Sequence, residues 1–308
     1  MPASSSHLPV LYHEIILALQ PRREGYYVDC TLGAGGHAAG ILEASQPYGQ
    51  LLGMDLDPQA VSIARQRLSS YGDRVTIVQV SYTSLREQLE KLGWQAVNGI
   101  LLDLGVSSMQ LDTPERGFSF QTEAPLDMRF DPANAVTADD LVNSLSENDL
   151  ADVIFRYGEE RRAYQVARAI VRARPVHGTV QLAEIIARST SGGRPGFHPA
   201  TRTFQALRIA VNQELEALET VLPQAVGALV PVGRLAVISF HSLEDRIVKQ
   251  YFRKESQDCI CPPRQPVCTC GHHASVREIN RHPIRPGNEE IQANPRARSA
   301  KLRVVEKI

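Results

Sequence analysis

A glycine-rich turn that follows a carboxylate is the segment of this chain most suited to chemistry. Asp29 ends a short apolar run, and the turn then supplies three glycines and a histidine: Gly33, Gly35, Gly36 and His37. Such a turn at a helix N-terminus brings backbone N–H groups close to a nucleoside or nucleotide. Asp55 follows about twenty residues later, where a carboxylate can accept both ribose hydroxyls. The pattern predicts a nucleoside cofactor.

Two cofactors fit this pattern. The run Gly33–Ala38 satisfies G-x-G-x-x-G/A, which is typical of NAD-dependent oxidoreductases. Three features instead favour S-adenosylmethionine. Asp29 could hold its ammonium group, Asp103 at the end of a later apolar run could lie beside the reacting methyl group, and Tyr82 could flank the adenine. Each also has a structural alternative, because Asp103 could brace a loop and Tyr82 could simply pack.

Composition limits the class of protein. The chain has 308 residues, of which 43% are hydrophobic and 22% charged, and its net charge is −1. These values are typical of a globular protein with a substantial core. No apolar run approaches the ~18 residues of a membrane span. Five cysteines and no export signal predict a reducing, cytoplasmic location.

Strand and helix patterns alternate through the first third. Apolar runs predict four strands, at 26–30, 51–54, 75–80 and 99–104, and helices are expected between them at 35–44, 58–68 and 84–92. Continuous apolar runs are typical of buried parallel strands. Repeated βα units predict an α/β fold, with a doubly wound, mostly parallel sheet.

The alternation stops after the fourth strand. From 110 to 199 we find four helical patterns and no convincing strand, and ninety or so residues is too long for a crossover loop. We therefore expect a first core segment at 1–109, an inserted all-helical, substrate-recognition subdomain at 110–199, and a second core segment at 200–308. The last segment is predicted to contain a helix at 201–222 and strands at 235–240 and 302–306.

Motifs along nearly the whole chain resemble one known family, the RsmH (MraW) type of small-subunit rRNA cytidine-N4 methyltransferase. The segments that carry the resemblance are His7–Leu11, Asp29–His37, Leu101–Ser108, Gln110–Asp112, Glu115–Phe120, Pro125–Arg129, Tyr157–Arg161, His198–Arg208, Ile238–Arg246 and Asn294–Ser299.

The resemblance implies a Rossmann-like methyltransferase core with a helical insertion. It also implies methyl transfer from S-adenosylmethionine to N4 of a cytidine in the decoding region of 16S rRNA, within the small ribosomal subunit and with no DNA or membrane partner. The residue types that match the family's cofactor contacts are Gly35, Gly36, His37, Asp55, Asp103 and Gln110, with Tyr82 at an aromatic position. Many amino-methyltransferases carry an Asn/Asp-Pro-Pro-aromatic tetrad, whereas this chain has Asp103-Leu104-Gly105-Val106.

The chemistry suggests roles for further residues. The exocyclic amine of cytosine is a poor nucleophile, so we expect Asp103 to accept its hydrogen bonds and orient it. An unstacked base could rest on Phe118 and Phe120, although both could equally pack the insertion. Phosphates could be bound by a polar edge comprising Arg194, His198 and Arg202, and His241 could contact the base or brace the cleft. A silent ribosome-assembly factor with the same fold is the remaining alternative.

A cluster of cysteines lies near the C-terminus. Cys259, Cys261, Cys268 and Cys270 form a C-x-C…C-x-C pattern that could bind structural zinc. The usual spacing of zinc ligands is longer, so the sequence favours the alternative, a proline-braced loop with reduced thiols. No metal is expected to take part in catalysis.

Overall fold

A mixed β-sheet forms the centre of the structure, a computed structural model that describes residues 9–190, 198–262, 265 and 267–308. Its strands among the described residues are β1 (Tyr26–Asp29), β2 (Gln50–Asp55), β3 (Val75–Gln79), β4 (Val97–Asp103), β5 (Leu229–Ser239), β6 (Val276–Glu278) and β7 (Lys301–Lys307). Their order is β3-β2-β1-β4-β5-β7-β6. Strands β1 to β5 pair in parallel, and β7 is antiparallel to β5 and β6. The predicted doubly wound, mostly parallel sheet is confirmed.

Helices precede, separate and follow these strands in the sequence. In chain order they are α1 (Tyr12–Leu19), α2 (Gly36–Ala44), α3 (Pro58–Arg67), α4 (Leu85–Leu92), α5 (Ser108–Asp112), α6 (Ala138–Ser144), α7 (Glu147–Gly158), α8 (Ala163–Arg172), α9 (Thr179–Ser189), α10 (Thr201–Asn212), α11 (Glu214–Ala228), α12 (Ser242–Glu255) and α13 (Asn288–Ala293). Within the described residues, no helix is long and apolar enough to cross a membrane.

The sheet buries apolar side chains on both faces. Successive residues of a strand point to opposite faces, and so Leu101 and Leu102 of β4 enter two different hydrophobic clusters. Val28 and Tyr27 of β1 divide in the same way. This two-sided burial explains why these strands read as continuous apolar runs.

The chain divides into two units, one formed by Met1–Gly105 with Glu216–Ile308 and the other by Val106–Leu215. The second unit has its own hydrophobic core and contains no strand in its described residues. Helices α7 and α10 pack tightly there, because Gly158 has no side chain: a Cβ at that position would lie 2.6 Å from the Arg202 carbonyl oxygen.

The unit boundaries differ from those expected at 109 and 199. Helix α10 packs on α7 and so belongs to the helical unit, which ends at Leu215. The single helix expected over 201–222 is two helices, because Gln213 adopts a left-handed conformation with φ of 50° and ends α10. Glutamine carries no sequence signal for such a break, unlike glycine.

The last third contains the other differences. Strand β5 begins at Leu229 instead of 235, and its pairing with β4 shifts register between Val97 and Gly99. Close to this irregularity, Val232 has a φ of 66°. Strand β6 and helices α12 and α13 were not expected in this third, and the short helix α1 near the start of the chain was not expected either.

The glycine turn allows a test of backbone conformation. Gly35 begins α2 with a φ of 75°, and a Cβ there would lie 3.1 Å from Leu68 Cδ1. We expect Gly35→Ala to lower the free energy of unfolding by about 1–2 kcal/mol, because side chains disfavour this conformation. Gly227 lies inside α11 with nothing near its Cβ position, so Gly227→Ala should raise it by about 0.5–1 kcal/mol. Denaturant titration measures the free energy of unfolding of both variants. If both substitutions changed it in the same direction and by the same amount, a special backbone conformation at Gly35 would be contradicted.

Candidate active site

Three carboxylates meet at one edge of the sheet. Asp29, Asp55 and Asp103 are the last residues of β1, β2 and β4. Strand β1 lies between the other two strands, and carboxyl ends of parallel strands share one edge of a sheet. The structure thus brings together residues that are more than seventy positions apart in the chain. In doubly wound sheets this edge is where ligands bind.

Asp55 holds the glycine turn in place. Its Oδ2 accepts a hydrogen bond from the Gly33 N–H at 2.7 Å, and its Oδ1 accepts one from the Asp57 N–H at 2.9 Å. Each carboxylate oxygen has a second lone pair that could still receive a ribose hydroxyl. The sequence pattern indicated the ribose contact, but it gave no sign of the bond to the turn.

A threonine that we did not single out links Asp29 and Asp103. The Thr31 N–H donates to Asp29 Oδ1 at 3.2 Å, and the Thr31 hydroxyl oxygen accepts from the Asp103 N–H at 2.6 Å. Asp29 and Asp103 are therefore held through one residue of the loop that follows β1. The presence of Thr31 in the Asp29–His37 motif was the only available signal.

His37 and Asp103 contain polar atoms without partners. His37 is 5% exposed, and its Nε2 lies 3.6 Å from Asp103 Oδ2, too far for a good hydrogen bond. Both ring nitrogens of His37 and the Asp103 Oδ1 are buried and accept or donate no hydrogen bond within the described residues. Buried polar groups in native proteins are nearly always satisfied. This pair is therefore poised to contact a ligand.

Asp29 is the most perturbed of the three acids. It is 1% exposed, and burial raises its pKa from the ordinary 3.8 to about 7, an effect to which the negative charges of Asp103 and Asp55 also contribute. Burial likewise raises the pKa of Asp55. A cation bound among these carboxylates would restore their ionised forms.

This shift predicts a pH dependence of stability. Between about pH 4 and pH 7, folded Asp29 keeps a proton that the unfolded chain has released. The free energy of unfolding should therefore fall as the pH rises across that window, by at most about 4 kcal/mol. Asp29→Asn should remove this component, so the difference between wild type and variant, measured by denaturant titration, should change with pH. A constant difference would contradict the raised pKa.

The three carboxylates fit S-adenosylmethionine better than NAD. Three acidic side chains suit a ligand that carries an ammonium and a sulfonium, whereas they would repel the pyrophosphate of a dinucleotide. A ligand can also approach the backbone of the turn closely at Gly33. Only the Thr31 carbonyl oxygen, at 3.9 Å, lies within 4 Å of a Cβ placed there. A Cβ on Gly36 would lie 2.7 Å from Pro9 Cγ, so Gly36 fixes how the turn packs against the N-terminal segment.

Tyr82 lies just beyond β3, in a short 3₁₀ helix at Tyr82–Ser84. Strand β3 neighbours β2, so Tyr82 follows the same edge of the sheet as Asp55. Its ring is half-buried and packs against the sheet core. Tyr82 therefore packs against the core of the sheet, whether or not it also contacts an adenine.

Two predicted residues have structural roles in the helical unit. The Gln110 side chain accepts a hydrogen bond from the Ser107 N–H and caps α5. Phe118 is 8% exposed and belongs to the core of the unit, where its ring stacks on Phe130 at 5.7 Å. A buried ring has no face open to a base, so the structure argues against Phe118 as a stacking surface and favours the packing alternative.

Phe120 and His198 do come together. Their rings stack with centroids 4.6 Å apart, Phe120 is partly buried and His198 is exposed. Arg202 donates to the Glu159 carbonyl oxygen at 3.1 Å and lies 3.6 Å from a Glu160 carboxylate oxygen. Its charge is therefore partly compensated within the helical unit. Arg194, the third member of the predicted polar edge, lies outside the described residues.

His241 caps a helix. Its Nδ1 accepts a hydrogen bond from the Glu244 N–H at 3.4 Å, and the Glu244 carboxylate accepts from the His241 N–H at 3.2 Å, which forms a capping box at the start of α12. The bracing role therefore explains the side chain. Its Nε2 is 3.2 Å from Glu244 Oε1.

Comparisons with known proteins identify relatives of this chain. The model of the MraW methylase family matches residues 4–308. The chain is 54% identical to the Ribosomal RNA small subunit methyltransferase H of Dehalococcoides mccartyi, over 98% of this chain and 86% of that protein. It is 52% identical to the protein of that name from Thermomicrobium roseum, over 100% and 95% of the two chains. The Heliobacterium mobile relative is 50% identical over 98% and 99%.

Proposed function

The chain belongs to the MraW methylase family, and on that premise we propose that it transfers the methyl group of S-adenosylmethionine to N4 of a cytidine in 16S rRNA, in the decoding region. The names of the relatives support small-subunit rRNA as the substrate. The observation that carries the proposal is the His37–Asp103 pair, whose unpartnered buried atoms lie where β4 ends. An NAD-dependent oxidoreductase is disfavoured both by the three carboxylates and by the family.

The residues of this edge would bind the methyl donor, whose sulfonium supplies an activated methyl group. Asp29 is suited to the ammonium, and Asp55 to the ribose while it fixes the glycine turn. The helix that begins at Gly36 presents its N–H groups toward the turn. Tyr82 is a further proposed cofactor contact, as the family resemblance implies.

Asp103 would act on the acceptor. The amine lone pair of cytosine is delocalised into the ring, and hydrogen bonds from the amine to a carboxylate favour the nucleophilic geometry. The Leu104 carbonyl oxygen can assist. Orienting the amine can lower the barrier by several kcal/mol, up to about 7–11 kcal/mol in the best models. No strong base is needed, because the amine becomes acidic once it is methylated and water can take the proton.

The target base must leave its stack to be methylated. Within the helical unit, the Phe120–His198 pair offers an aromatic surface on which an RNA base could stack, worth about 1–3 kcal/mol per base in single-strand binders. The net charge of −1 excludes a uniformly basic surface, so RNA contacts must be local. We place the enzyme in the cytoplasm, acting on the small ribosomal subunit.

The test is a map of methylated cytidines in rRNA. In cells that lack this protein, one cytidine of the decoding region should lose its N4-methyl group. Wild-type protein should restore the mark, and Asp103→Asn should not. A map that is unchanged by the loss of the protein would contradict the proposal. A mark fully restored by the Asp103 variant would show that Asp103 is not required for methyl transfer.

A further inference from the structure

The cysteine loop, residues 257–275, joins α12 to β6 and carries four of the five cysteines of the chain. Helix α12 leads the chain from the carboxyl end of β5 to the start of β6, which pairs with the last residues of β7. The loop therefore lies at the opposite edge of the sheet from the three aspartates. Whatever it binds does not take part in methyl transfer.

The four sulfur atoms form a tight cluster. All lie within 4.8 Å of one another, and the separations of four pairs are 3.5 Å (Cys259–Cys268), 3.6 Å (Cys268–Cys270), 3.9 Å (Cys259–Cys270) and 4.0 Å (Cys261–Cys268). A tetrahedral zinc site with Zn–S bonds of about 2.3 Å requires sulfur atoms about 3.8 Å apart. The cluster matches that spacing, and the thiols are free.

Backbone N–H groups point at the sulfurs. The Ile260 N–H donates to Cys270 Sγ and the Thr269 N–H donates to Cys261 Sγ, both at 3.5 Å. Each donor lies between the two cysteines of one C-x-C pair. Each pair therefore donates one hydrogen bond to a sulfur of the other pair. Such bonds stabilise thiolates, the form that binds metal.

The rest of the loop supports a structural metal. Its base is closed, since the Ser275 N–H donates to the Glu255 carbonyl oxygen at 2.8 Å and the Ala274 N–H to Asp258 at 3.2 Å. The four cysteines are exposed or partly exposed and Val267 is 69% exposed, so this part of the loop has little core of its own. Small segments without a core are commonly held by a metal.

We propose that the four cysteines bind one zinc ion as a tetrahedral tetrathiolate site, and that this ion holds the two C-x-C pairs of the cysteine loop together. Zinc suits four thiolates in closed tetrahedral coordination. Binding displaces the remaining thiol protons to solvent, and no oxidant or reductant is needed. The fifth cysteine, Cys30, is buried in the sheet core and takes no part.

Elemental analysis of the full chain, purified under reducing conditions without chelator and then given one equivalent of zinc and desalted, tests the proposal. We expect about one zinc per chain. Cobalt substitution should give the intense visible bands of a tetrahedral tetrathiolate complex. Cys261→Ser/Cys268→Ser should lower the zinc content at least tenfold, whereas Ile260→Ala, in the same loop, should keep it.

Several results would overturn the assignment. These are a wild-type chain without zinc after loading, a six-coordinate cobalt spectrum, iron in place of zinc, or a double-serine variant that retains its zinc. If the double variant does not fold, the wild-type zinc content and cobalt spectrum still decide. Binding of S-adenosylhomocysteine reports whether the variants fold.

Discussion

Asp103→Asn should lower the rate of methyl transfer to small-subunit rRNA by about 10²–10⁴-fold. Asparagine keeps the shape of the side chain and one acceptor oxygen, but it loses the charge and offers an N–H₂ group to an amine that needs an acceptor. The backbone N–H of residue 103 still donates to Thr31, so the loop should keep its position. The measurement is single-turnover transfer of a labelled methyl group.

The binding of S-adenosylhomocysteine separates chemistry from folding in this variant. Calorimetry should show affinity weakened by about tenfold, which corresponds to one hydrogen bond to a charged group at the low end of its range. Asp73→Asn serves as the control, because Asp73 is an exposed carboxylate of the same unit, and it should transfer methyl groups at the wild-type rate. Near-normal turnover by Asp103→Asn would remove this residue from the mechanism.

Asp55→Ala should weaken S-adenosylhomocysteine binding by about 100-fold. The change removes an acceptor for the Gly33 N–H, which frees the glycine turn, and it also removes the proposed ribose contact. The two hydrogen bonds that the ribose hydroxyls would donate to the Asp55 carboxylate are worth about 3 kcal/mol in total at the low end of their range. Calorimetric titration at neutral pH measures the change.

A matched control lies two residues along the chain. The Asp57 side chain accepts from the Gln59 N–H and caps α3, so Asp57→Ala should cost about 1 kcal/mol of stability with little effect on affinity. If the two variants lost affinity equally, general loosening of the loop would explain both results and the specific role of Asp55 would be wrong.

The sequence predicted the parts of the fold that depend on local pattern. Buried strands such as β4 appear as unbroken apolar runs, and glycines mark the turn before α2. The three aspartates were found because each ends such a run. The family resemblance and the comparisons then agree on the class of enzyme.

Long-range contacts were beyond the reach of the sequence. The bond from Asp103 to Thr31 depends on how β1 and β4 are aligned, which no local pattern specifies. The burial of Phe118 depends on packing within the helical unit, and two phenylalanines two residues apart look alike in sequence although only Phe120 stacks on His198. The break at Gln213 likewise follows from tertiary context.

The outermost position of β6 has a consequence for how copies of this protein meet. A long exposed strand invites another chain to add to the sheet, which leads to aggregation. Strand β6 has three residues, and its Arg277 reaches back to Glu306 at 2.5 Å. With so few open backbone groups, this margin of the sheet offers a poor template for an intruding strand.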